Sequence, residues 1–397
     1  MKVVWIGVGV GPKLREQIIA NNGKILSAQV SETNLIEGID ALNISMDTLS
    51  GPNVSTGVLS EITPESWSRT GTSRDISVGY RNIKYLNLQL KQRALCAATR
   101  KWAQENKTDE EVTVFIYSMH TPFLAAACEI KEHLPQTRIC LIVPDLPQYM
   151  DLKMSRLKKL LKAVDWHRIR HFMKKIDKYV LYAEPMADFL GLQDGQWMVM
   201  EGSFDSTQLA DADCKPDPNK ISVMYSGVLD LRYGIPELLD AMDLLDEHYE
   251  LWLTGAGNAE DLIKERAAAD SRIQFYGYLP SRQNLLNKQA QATMLISPRR
   301  DTEEASKYCF PSKLFEYMVS GRPVISCFLA GIPAEYHNHL IELPSASAQE
   351  IAAIIKKTAK LSAQERSTIG SAAKKFVLEN KNKFAQAKKI AEFMDIV

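Results

Sequence analysis

The sequence lacks several features that would assign it to a specialised class of protein. It has no run of about 20 apolar residues, the length that a membrane-spanning helix needs. Its 48 Lys and Arg residues are balanced by 48 Asp and Glu residues, so it lacks the positive charge typical of nucleic-acid-binding proteins. The N-terminal apolar run is too short for the core of a signal peptide. We therefore expect a cytoplasmic protein that binds no nucleic acid.

Cysteine is present, but it follows no pattern that binds zinc or supports redox chemistry. None of the six cysteines is part of a C-x-x-C pair. Several lie in apolar runs, where a buried thiol behaves as a small hydrophobic side chain. This usage fits a reducing cytoplasm, and we expect neither a metal nor a cofactor. The six residues are Cys96, Cys128, Cys140, Cys214, Cys309 and Cys327.

Short β-rich runs alternate with longer helical patterns along the chain. Each run is continuously apolar rather than alternating, which is typical of strands buried on both faces. Strands separated by helices predict βαβ units, parallel sheets and hence an α/β fold. The runs are Val3–Gly7, Val112–Tyr117, Ile139–Val143, Tyr179–Tyr182, Met198–Met200, Ile221–Tyr225, Leu251–Thr254, Ile273–Tyr276, Thr293–Ser297 and Pro323–Cys327.

The length of 397 residues predicts two domains, because one ordinary core is smaller than this. A polar segment with two prolines, residues 206–220, interrupts the alternation and is interpreted as a linker. We expect an N-terminal domain over residues 1–205 and a C-terminal domain over residues 221–380. In residues 381–397, the helical spacing of apolar residues predicts a final helix, which we expect to pack back on the first domain. Ligands are expected at the carboxyl ends of the strands, in the crevice between the two sheets.

A glycine-rich turn follows the first strand. Gly7, Gly9 and Gly11 would let backbone amides approach a ligand, and the N-terminus of a following helix favours anions. The dinucleotide-binding pattern does not fit, because the third glycine comes two residues after the second instead of three. Two interpretations stay open, a ligand contact and a tight turn between strand and helix.

Glycines also end three strands of the second half. The loop after the first of these strands leads into a helical pattern, which is a suitable cradle for a diphosphate. An arginine in that loop would neutralise the phosphates, and glycines after the next two strands would border a planar base. Ordinary turns and a surface arginine explain the same pattern. The residues are Gly227, Arg232, Gly255, Gly257, Gly277 and Tyr278.

The most informative block runs from Pro298 to Ile325. Pro311 suits a first helical turn, and the amides around Ser312 and Lys313 would point at an anion. Glu316 lies about one turn beyond Lys313, so both side chains can face one ligand. A carboxylate accepts two hydroxyl donors, which suits a ribose diol. The alternative is a surface Lys–Glu pair worth about 0.3–0.5 kcal/mol.

This block resembles the nucleotide-sugar site of retaining family-4 glycosyltransferases of the GT-B fold. Residues 311–318 and 320–325 look like those of bacterial polysaccharide-assembly enzymes that make capsule or exopolysaccharide. The earlier glycine-ended strands occur in the family's order, and the resemblance covers residues 221–325 well. It implies two Rossmann-like domains facing each other across a cleft. The donor nucleotide would bind the second domain and the acceptor the first.

The resemblance also assigns roles to individual residues. Glu316 matches the glutamate that holds the ribose, and Lys313 matches a position lining the diphosphate. His120 follows a strand where relatives often place a histidine near the transferred sugar, although a lone histidine there is more often structural. The other residues expected to contact the donor are Gly227, Arg232, Gly255, Gly257, Gly277, Tyr278, Arg299, Pro311, Ser312 and Leu314. Those expected to face the acceptor or the donor sugar are Gly9, Gly11 and Asp145.

Two positions depart from the family's pattern. Tyr308 stands eight residues before Glu316, where relatives commonly carry another glutamate. Val228 and Tyr233 stand in a loop where relatives often carry an arginine and a lysine. The positive charge is therefore expected from three other residues, Lys313, Arg232 and Arg299.

The sequence thus predicts a hexosyl-type transferase that moves a sugar from a UDP- or GDP-sugar to a growing, lipid-linked saccharide, with retention. We expect no metal, because Asp211 and Asp213, which form a D-x-D pattern, lie in the linker. Two alternatives stay open. A nucleotide-sugar epimerase would use the same fold, and a catalytically silent sugar-nucleotide-binding partner would explain Tyr308 and Val228.

A basic segment in the first domain, Leu152–Lys178, carries apolar residues at helical spacing with Trp166 nearby. A basic amphipathic helix of this kind could rest on anionic lipid, near a polyprenyl-diphosphate-linked acceptor. The alternative is a solvated helix face. We therefore expect peripheral contact with the inner face of the membrane as one reading of this segment.

Overall fold

The computed structural model describes residues 1–149, 156–208, 215–300 and 304–397. The chain divides into two compact units. Unit 1 comprises residues 1–182, 186–203 and 383–397, and unit 2 comprises residues 183–185 and 204–382. Parts of two predicted segments lie outside the described residues. These are residues 209–214 of the linker, with Asp211, Asp213 and Cys214, and residues 152–155 of the basic segment.

The central strands of unit 1 are rich in apolar residues, and β7 is buried along its whole length. They are β1 (Lys2–Gly7), β2 (Met46–Ser50), β3 (Glu61–Ile62), β4 (Glu65–Trp67), β5 (Asp75–Ser77), β6 (Tyr80–Arg81), β7 (Val112–Tyr117), β8 (Thr137–Val143), β9 (Lys178–Leu181) and β10 (Trp197–Val199). Eight of them form one sheet in the order β10-β9-β8-β7-β1-β2-β5-β4. In this sheet β4 pairs antiparallel to β5, and the other neighbours are parallel.

Helices cover the sheet of unit 1, because strands buried on both faces need an apolar layer on each side. They are α1 (Pro12–Ala20), α2 (Ser27–Asp40), α3 (Asn87–Glu105), α4 (Thr121–His133), α5 (Arg156–Met173) and α6 (Met186–Leu190). Helix α4 packs against both α3 and α5. In α5, Ile169 is 1% exposed, so its side of the helix is buried.

Unit 2 is a single parallel sheet of six strands with helices between them. The strands are β11 (Ile221–Val228), β12 (Tyr249–Ala256), β13 (Ile273–Phe275), β14 (Met294–Ser297), β15 (Val324–Ser326) and β16 (Ile341–Glu342). The helices are α7 (Ile235–Met242), α8 (Glu260–Ala269), α9 (Arg282–Gln291), α10 (Lys313–Val319), α11 (Ala348–Ala359) and α12 (Ala363–Asn380). The strand order is β13-β12-β11-β14-β15-β16, in which the chain reverses direction beside β11. In open α/β sheets, ligands bind at such a reversal, outside the carboxyl ends of the strands.

The last helix, α13 (Lys383–Phe393), belongs to unit 1 and packs on α2. The two helices meet closely at Gly38, where a Cβ atom would lie 2.7 Å from Ala387 Cβ and would overlap the carbonyl oxygen of Lys383. The Nζ atom of Lys383 donates to Glu37 at 2.6 Å. Within the described part of the chain, no helix combines the length and the apolar character needed to cross a membrane.

Candidate functional site

The carboxyl end of β11 is tied to α10 by a buried tyrosine. The hydroxyl of Tyr317 donates to the carbonyl oxygen of Ser226 at 2.7 Å and accepts from the Ser226 amide at 2.8 Å. Gln289 on α9 donates to the Ser226 hydroxyl at 2.8 Å. Because these groups are buried, the bonds fix the start of α10 beside the strand end. The site is therefore built on regular elements rather than on a free loop.

Lys313 and Glu316 lie where the sequence predicted them, on the exposed side of α10. A Cβ atom built on Gly227 would lie 3.8 Å from Lys313 Cγ, so the lysine stem passes directly beside the end of β11. Lys313 Nζ and Glu316 Oε2 form an ion pair of 2.8 Å, and their side chains are 47% and 19% exposed. The Lys–Glu pair on the helix surface, which the sequence analysis gave as the alternative interpretation, is thus present in the structure. A ligand that binds both side chains has to break this ion pair and replace it with its own contacts.

The glycines at the ends of β11 and β12 allow the two strands to approach closely. A Cβ atom on Gly255, whose φ is +139°, would overlap the Gly227 carbonyl oxygen, and one on Gly257 would overlap that of Leu229. Gly277 has φ +62° and no neighbour within 4 Å of such an atom. Its carbonyl oxygen accepts from the Gly255 amide at 2.9 Å. These contacts bring three strand ends together, with the Tyr278 side chain 70% exposed at the edge.

The two arginines of the predicted cationic set differ in their surroundings. Arg232 donates from Nε and Nη2 to the carboxylate of Asp230, at 2.9 and 2.8 Å, and these bonds lower the pKa of Asp230 to about 2. The Arg299 guanidinium lies 4.5 Å from the centre of the Tyr233 ring, and its buried Nε has no hydrogen-bond partner among the described residues. Arg299 is therefore the better placed of the two to receive an anion, because Arg232 already carries a counter-ion.

The residues around the start of α10 need one correction. Ser312 is exposed, and Pro311 is half-buried next to it. The Leu314 side chain, expected to contact the donor, is instead fully buried in the hydrophobic core of unit 2. Its amide already donates to the Pro311 carbonyl oxygen at 2.8 Å. Tyr308, at the place of the missing glutamate, ends the short helical turn Glu304–Tyr308 before this segment.

The glycine-rich turn of unit 1 is explained largely by two glutamates that the sequence analysis missed. Glu65 accepts from the amides of Lys13 and Leu14 at 3.0 and 3.2 Å, so a carboxylate of the chain itself occupies the N-terminus of α1. A Cβ atom on Gly11 would overlap this carboxylate. The expectation that Gly11 faces a ligand is therefore wrong, because the glycine makes room for Glu65.

The other glutamate, Glu32 on α2, holds the start of the same turn. Its Oε1 atom accepts from Trp5 Nε1 at 2.7 Å and from the Val8 amide at 3.1 Å, and Gly7 has no room for a side chain beside it. Burial raises the pKa of Glu32 to about 8. Gly9 alone stays open, with its nearest neighbour, Ser50, 3.6 Å from a Cβ atom.

Position 32 carried a signal in the sequence that the strand-based analysis passed over. Gln29, Glu32, Ile36 and Ile39 recur at helical spacing and form the buried side of α2. A carboxylate in an otherwise apolar stripe requires a specific partner inside the protein. Lys91 is a second case, because it lies on the buried stripe of α3 with Leu95 and Trp102.

His120 lies at the start of α4, close to this buried lysine. Desolvation of the imidazole, together with the charge of Lys91, lowers the pKa of His120 to about 4. Lys91 is 4% exposed, donates to Asn53, and has its own pKa lowered by burial to about 7. Asp145 lies exposed after β8, at the same end of the sheet. His120 is thus a neutral imidazole at the carboxyl ends of the strands of unit 1.

One exposed group among the described residues brings three possible metal ligands together. Asp246, Glu247 and His248 lie within reach of a single ion. They precede β12, at the end of the sheet opposite Gly255 and Gly257. This group is not part of the candidate site, and the expected metal-free reaction stays a prediction.

The comparison with protein families finds a match in the second half of the chain. Residues 220–360 match the family described as "Glycosyl transferases group 1". This range contains every element of unit 2 that forms the candidate site, from β11 to α10. No curated protein sequence matches the chain significantly.

Several solved structures resemble the chain over its full length. HepE from Anabaena in complex with UDP is 12% identical with a TM-score of 0.65, and both chains are fully covered. Sucrose-phosphate synthase from Thermosynechococcus elongatus is 14% identical with a TM-score of 0.65, and 100% of this chain and 98% of that chain are covered. The lipopolysaccharide outer core galactosyltransferase WaaB is 13% identical with a TM-score of 0.63, with 100% and 99% covered.

These likenesses show the fold of the chain. It is α/β with parallel sheets, the GT-B fold with two Rossmann-like domains, as the sequence predicted. Together with the family match, the fold supports a GT-B glycosyltransferase that uses a nucleotide sugar.

Proposed function

We propose that this chain moves a hexose from a UDP- or GDP-sugar to a growing, lipid-linked saccharide. The anomeric configuration is retained, and no metal ion or cofactor takes part. In this proposal the protein works in the cytoplasm, in peripheral contact with the inner face of the membrane. The polysaccharide formed belongs to a capsule or to secreted exopolysaccharide, as the resemblance in residues 311–325 implies.

The observation that carries the proposal is the position of Lys313 beside Gly227. The lysine stem passes the end of β11, at the reversal of strand order where α/β sheets bind ligands. The match to glycosyl transferases group 1 spans this same region. A lysine in this position would meet the diphosphate of a donor that lies on the glycine-ended strands.

Transfer of a sugar requires that the charge of the departing nucleoside diphosphate be stabilised while an oxocarbenium-like centre develops. Lys313 supplies the first positive charge in this mechanism. Arg299 supplies the second, because its Nε is unpartnered and its guanidinium lies near the strand end. Glu316 would leave its ion pair with Lys313 and accept hydrogen bonds from the ribose hydroxyls. Gly277 and Tyr278 would border the base.

The acceptor side of the reaction is assigned to unit 1. His120 is a neutral imidazole at neutral pH, because its pKa is lowered to about 4. Such a ring accepts a hydrogen bond from a sugar hydroxyl without carrying charge near the developing positive centre. Gly9 leaves the backbone open in the same unit, and Asp145 follows β8.

A transfer assay tests this function. The purified chain is incubated with a panel of radiolabelled nucleotide sugars and with polyprenyl-diphosphate-linked oligosaccharide, and the label in the lipid phase is measured. One donor is expected to label the lipid, and Glu316→Ala should abolish the transfer. Turnover of a donor without any acceptor would indicate an epimerase instead. Donor binding without turnover would indicate a catalytically silent partner.

A further inference from the structure

A basic cavity lies beside the second half of α5, apart from the candidate site. Its volume is about 610 Å³. On one side it is lined by three basic residues of α5 and by Lys174 directly after the helix, and on the other by the start of β9 and by residues 190–192 and 196. The four basic residues are His167, Arg170, His171 and Lys174. We name them the basic cluster.

The basic cluster has no acidic counterpart. No carboxylate lines the cavity, and none of the four residues forms an ion pair with any residue that the structure describes. Two neighbouring basic residues that point elsewhere are partnered, since Arg168 donates to Gln92 at 2.6 Å and Lys175 pairs with Glu132 at 2.7 Å. Lys162, earlier on α5, has a buried Nζ without a hydrogen-bond partner among the described residues, but it does not line this cavity. Cations near a helix C-terminus offset the helix dipole. That effect does not explain why these four share one cavity, so an anionic ligand is the better explanation.

The exposed side of α5 changes from apolar to basic along the helix. At 3.6 residues per turn, Leu160, Val164, His167 and His171 lie within an arc of about 60°, and Lys174 follows directly after the helix. Leu160 and Val164 are 64% and 55% exposed. The opposite side holds the buried Ile169, so packing fixes which side faces outwards. We name these five residues the α5 stripe.

The cavity lies at the end of the unit 1 sheet where strands begin. Residues 174–177 join the end of α5 to β9, and residues 191–196 lead into β10. Gly9 and His120 lie at the other end, where β1 and β7 finish. The basic cluster is therefore separate from the acceptor side of unit 1.

We propose that the α5 stripe docks on an anionic membrane and that the basic cluster holds the phosphate of a lipid headgroup. Exposed apolar side chains next to basic ones on a single helix are the pattern of a helix that lies in the interface of an anionic bilayer. The apolar half enters the headgroup region, and the phosphate oxygens meet the cations in the cavity. The docking deepens the proposed membrane contact, but it does not depend on sugar transfer.

Vesicle sedimentation tests the docking. The full chain is mixed with vesicles of pure phosphatidylcholine and with vesicles that contain phosphatidylglycerol. We expect binding to the second kind only. Arg170→Ser with Lys174→Ser should weaken it roughly 30-fold, because each basic residue near the surface contributes about a factor of five. Leu160→Ser with Val164→Ser should weaken it by about tenfold. Lys356→Ser with Lys357→Ser, an equal change of charge on exposed residues of α11, should leave it unchanged.

Several outcomes would overturn the docking. They are no binding of the wild type to anionic vesicles, equal loss in the α11 control, or unchanged binding in either α5 variant. Stabilisation by inorganic phosphate without vesicle binding would also overturn it and indicate a site for soluble phosphates. Thermal stabilisation by nucleoside diphosphates is measured on every variant. This readout reports folding and the donor site, so failure of the proposed function and failure of the docking are told apart.

Discussion

Glu32 shows how one buried carboxyl group can set the pH response of this protein. Its pKa is raised to about 8, so between pH 4.5 and 8 the unfolded chain loses this proton while the folded chain keeps it. The contribution of Glu32 to the free energy of unfolding therefore decreases as pH rises through this window, so the protein becomes less stable, and it levels off above about pH 8. The full effect is up to about 5 kcal/mol.

Glu32→Gln should remove this decline. Glutamine keeps an oxygen that accepts from Trp5 and from the Val8 amide, and it has no ionised form. We expect the variant to match the wild type near pH 4.5 and to be more stable by several kcal/mol at pH 8. Urea unfolding at a series of pH values measures this difference. A constant difference across the series would contradict the account.

His120 should produce a pH effect of the opposite sign. Its pKa is lowered to about 4, so between pH 6.5 and 4 the unfolded chain takes up a proton that the folded chain does not. Stability therefore falls as pH decreases through this window. His120→Gln should cancel about 2 kcal/mol of that loss at pH 5 and change little at pH 7. Lys91 faces the ring and stays in place, so the comparison isolates the histidine. An equal difference in stability between the two proteins at pH 5 and at pH 7 would contradict this role of His120.

Side chains of the donor region were more predictable than those of unit 1. The spacing of Lys313 and Glu316 indicates that they face one ligand, because residues three apart on a helix lie on one side. The role of Glu65 was not predictable in this way, because it depends on a contact with α1 across 51 residues of sequence. Leu314 was misjudged for the converse reason, since a motif does not say which of its members faces the core.

Among the secondary elements, the ten apolar runs all appear as strands, and their ends shift by a few residues at most. The sequence did not predict β3, β6 and β16, which are only two residues long, nor β2, β4 and β5, because these strands are rich in polar residues. Several of their polar groups are partnered inside the protein: Thr48 donates to Asp75 at 2.8 Å, and Trp102 donates to Asp47 at 2.8 Å. Hydrophobic pattern detects strands that are buried by apolar contact, and it misses those that are held by specific hydrogen bonds.

The contact between α2 and α13 gives a test on the element itself. Gly38 has no room for a side chain beside the backbone of Lys383. Gly38→Ala should therefore destabilise the protein by about 1–3 kcal/mol, although alanine favours the helix by about 1 kcal/mol. Gly57→Ala serves as a control, because its nearest neighbour would lie 3.8 Å away. Urea unfolding of both variants reports the difference. A Gly38→Ala protein as stable as the wild type would show that α13 is not closely packed there.

For the molecule as a whole, the net charge is zero, but the charged side chains are unevenly distributed. The balanced charge excluded a protein covered with positive charge, yet the structure gathers four basic residues, three on α5 and one directly after it, around one cavity. The sequence analysis predicts the boundary between the domains from the polar segment near residue 206. The main segment of unit 2 runs from Phe204 to Asn382, and these two end residues form a β-bridge that the sequence pattern does not reveal.

The central claim is that unit 2 binds the nucleotide of a sugar donor through Lys313 and Glu316. Thermal unfolding of the whole chain, with a panel of nucleoside diphosphates and nucleotide sugars, tests it most directly. A ligand at 100 times its dissociation constant stabilises a protein by about 2.7 kcal/mol. One diphosphate, of uridine or guanosine, should stabilise the wild type, and Glu316→Ala should lose the effect. Glu379→Ala, which breaks a similar Lys–Glu pair on α12, should keep it. No response to any nucleotide, or equal stabilisation of all three proteins, would contradict the claim.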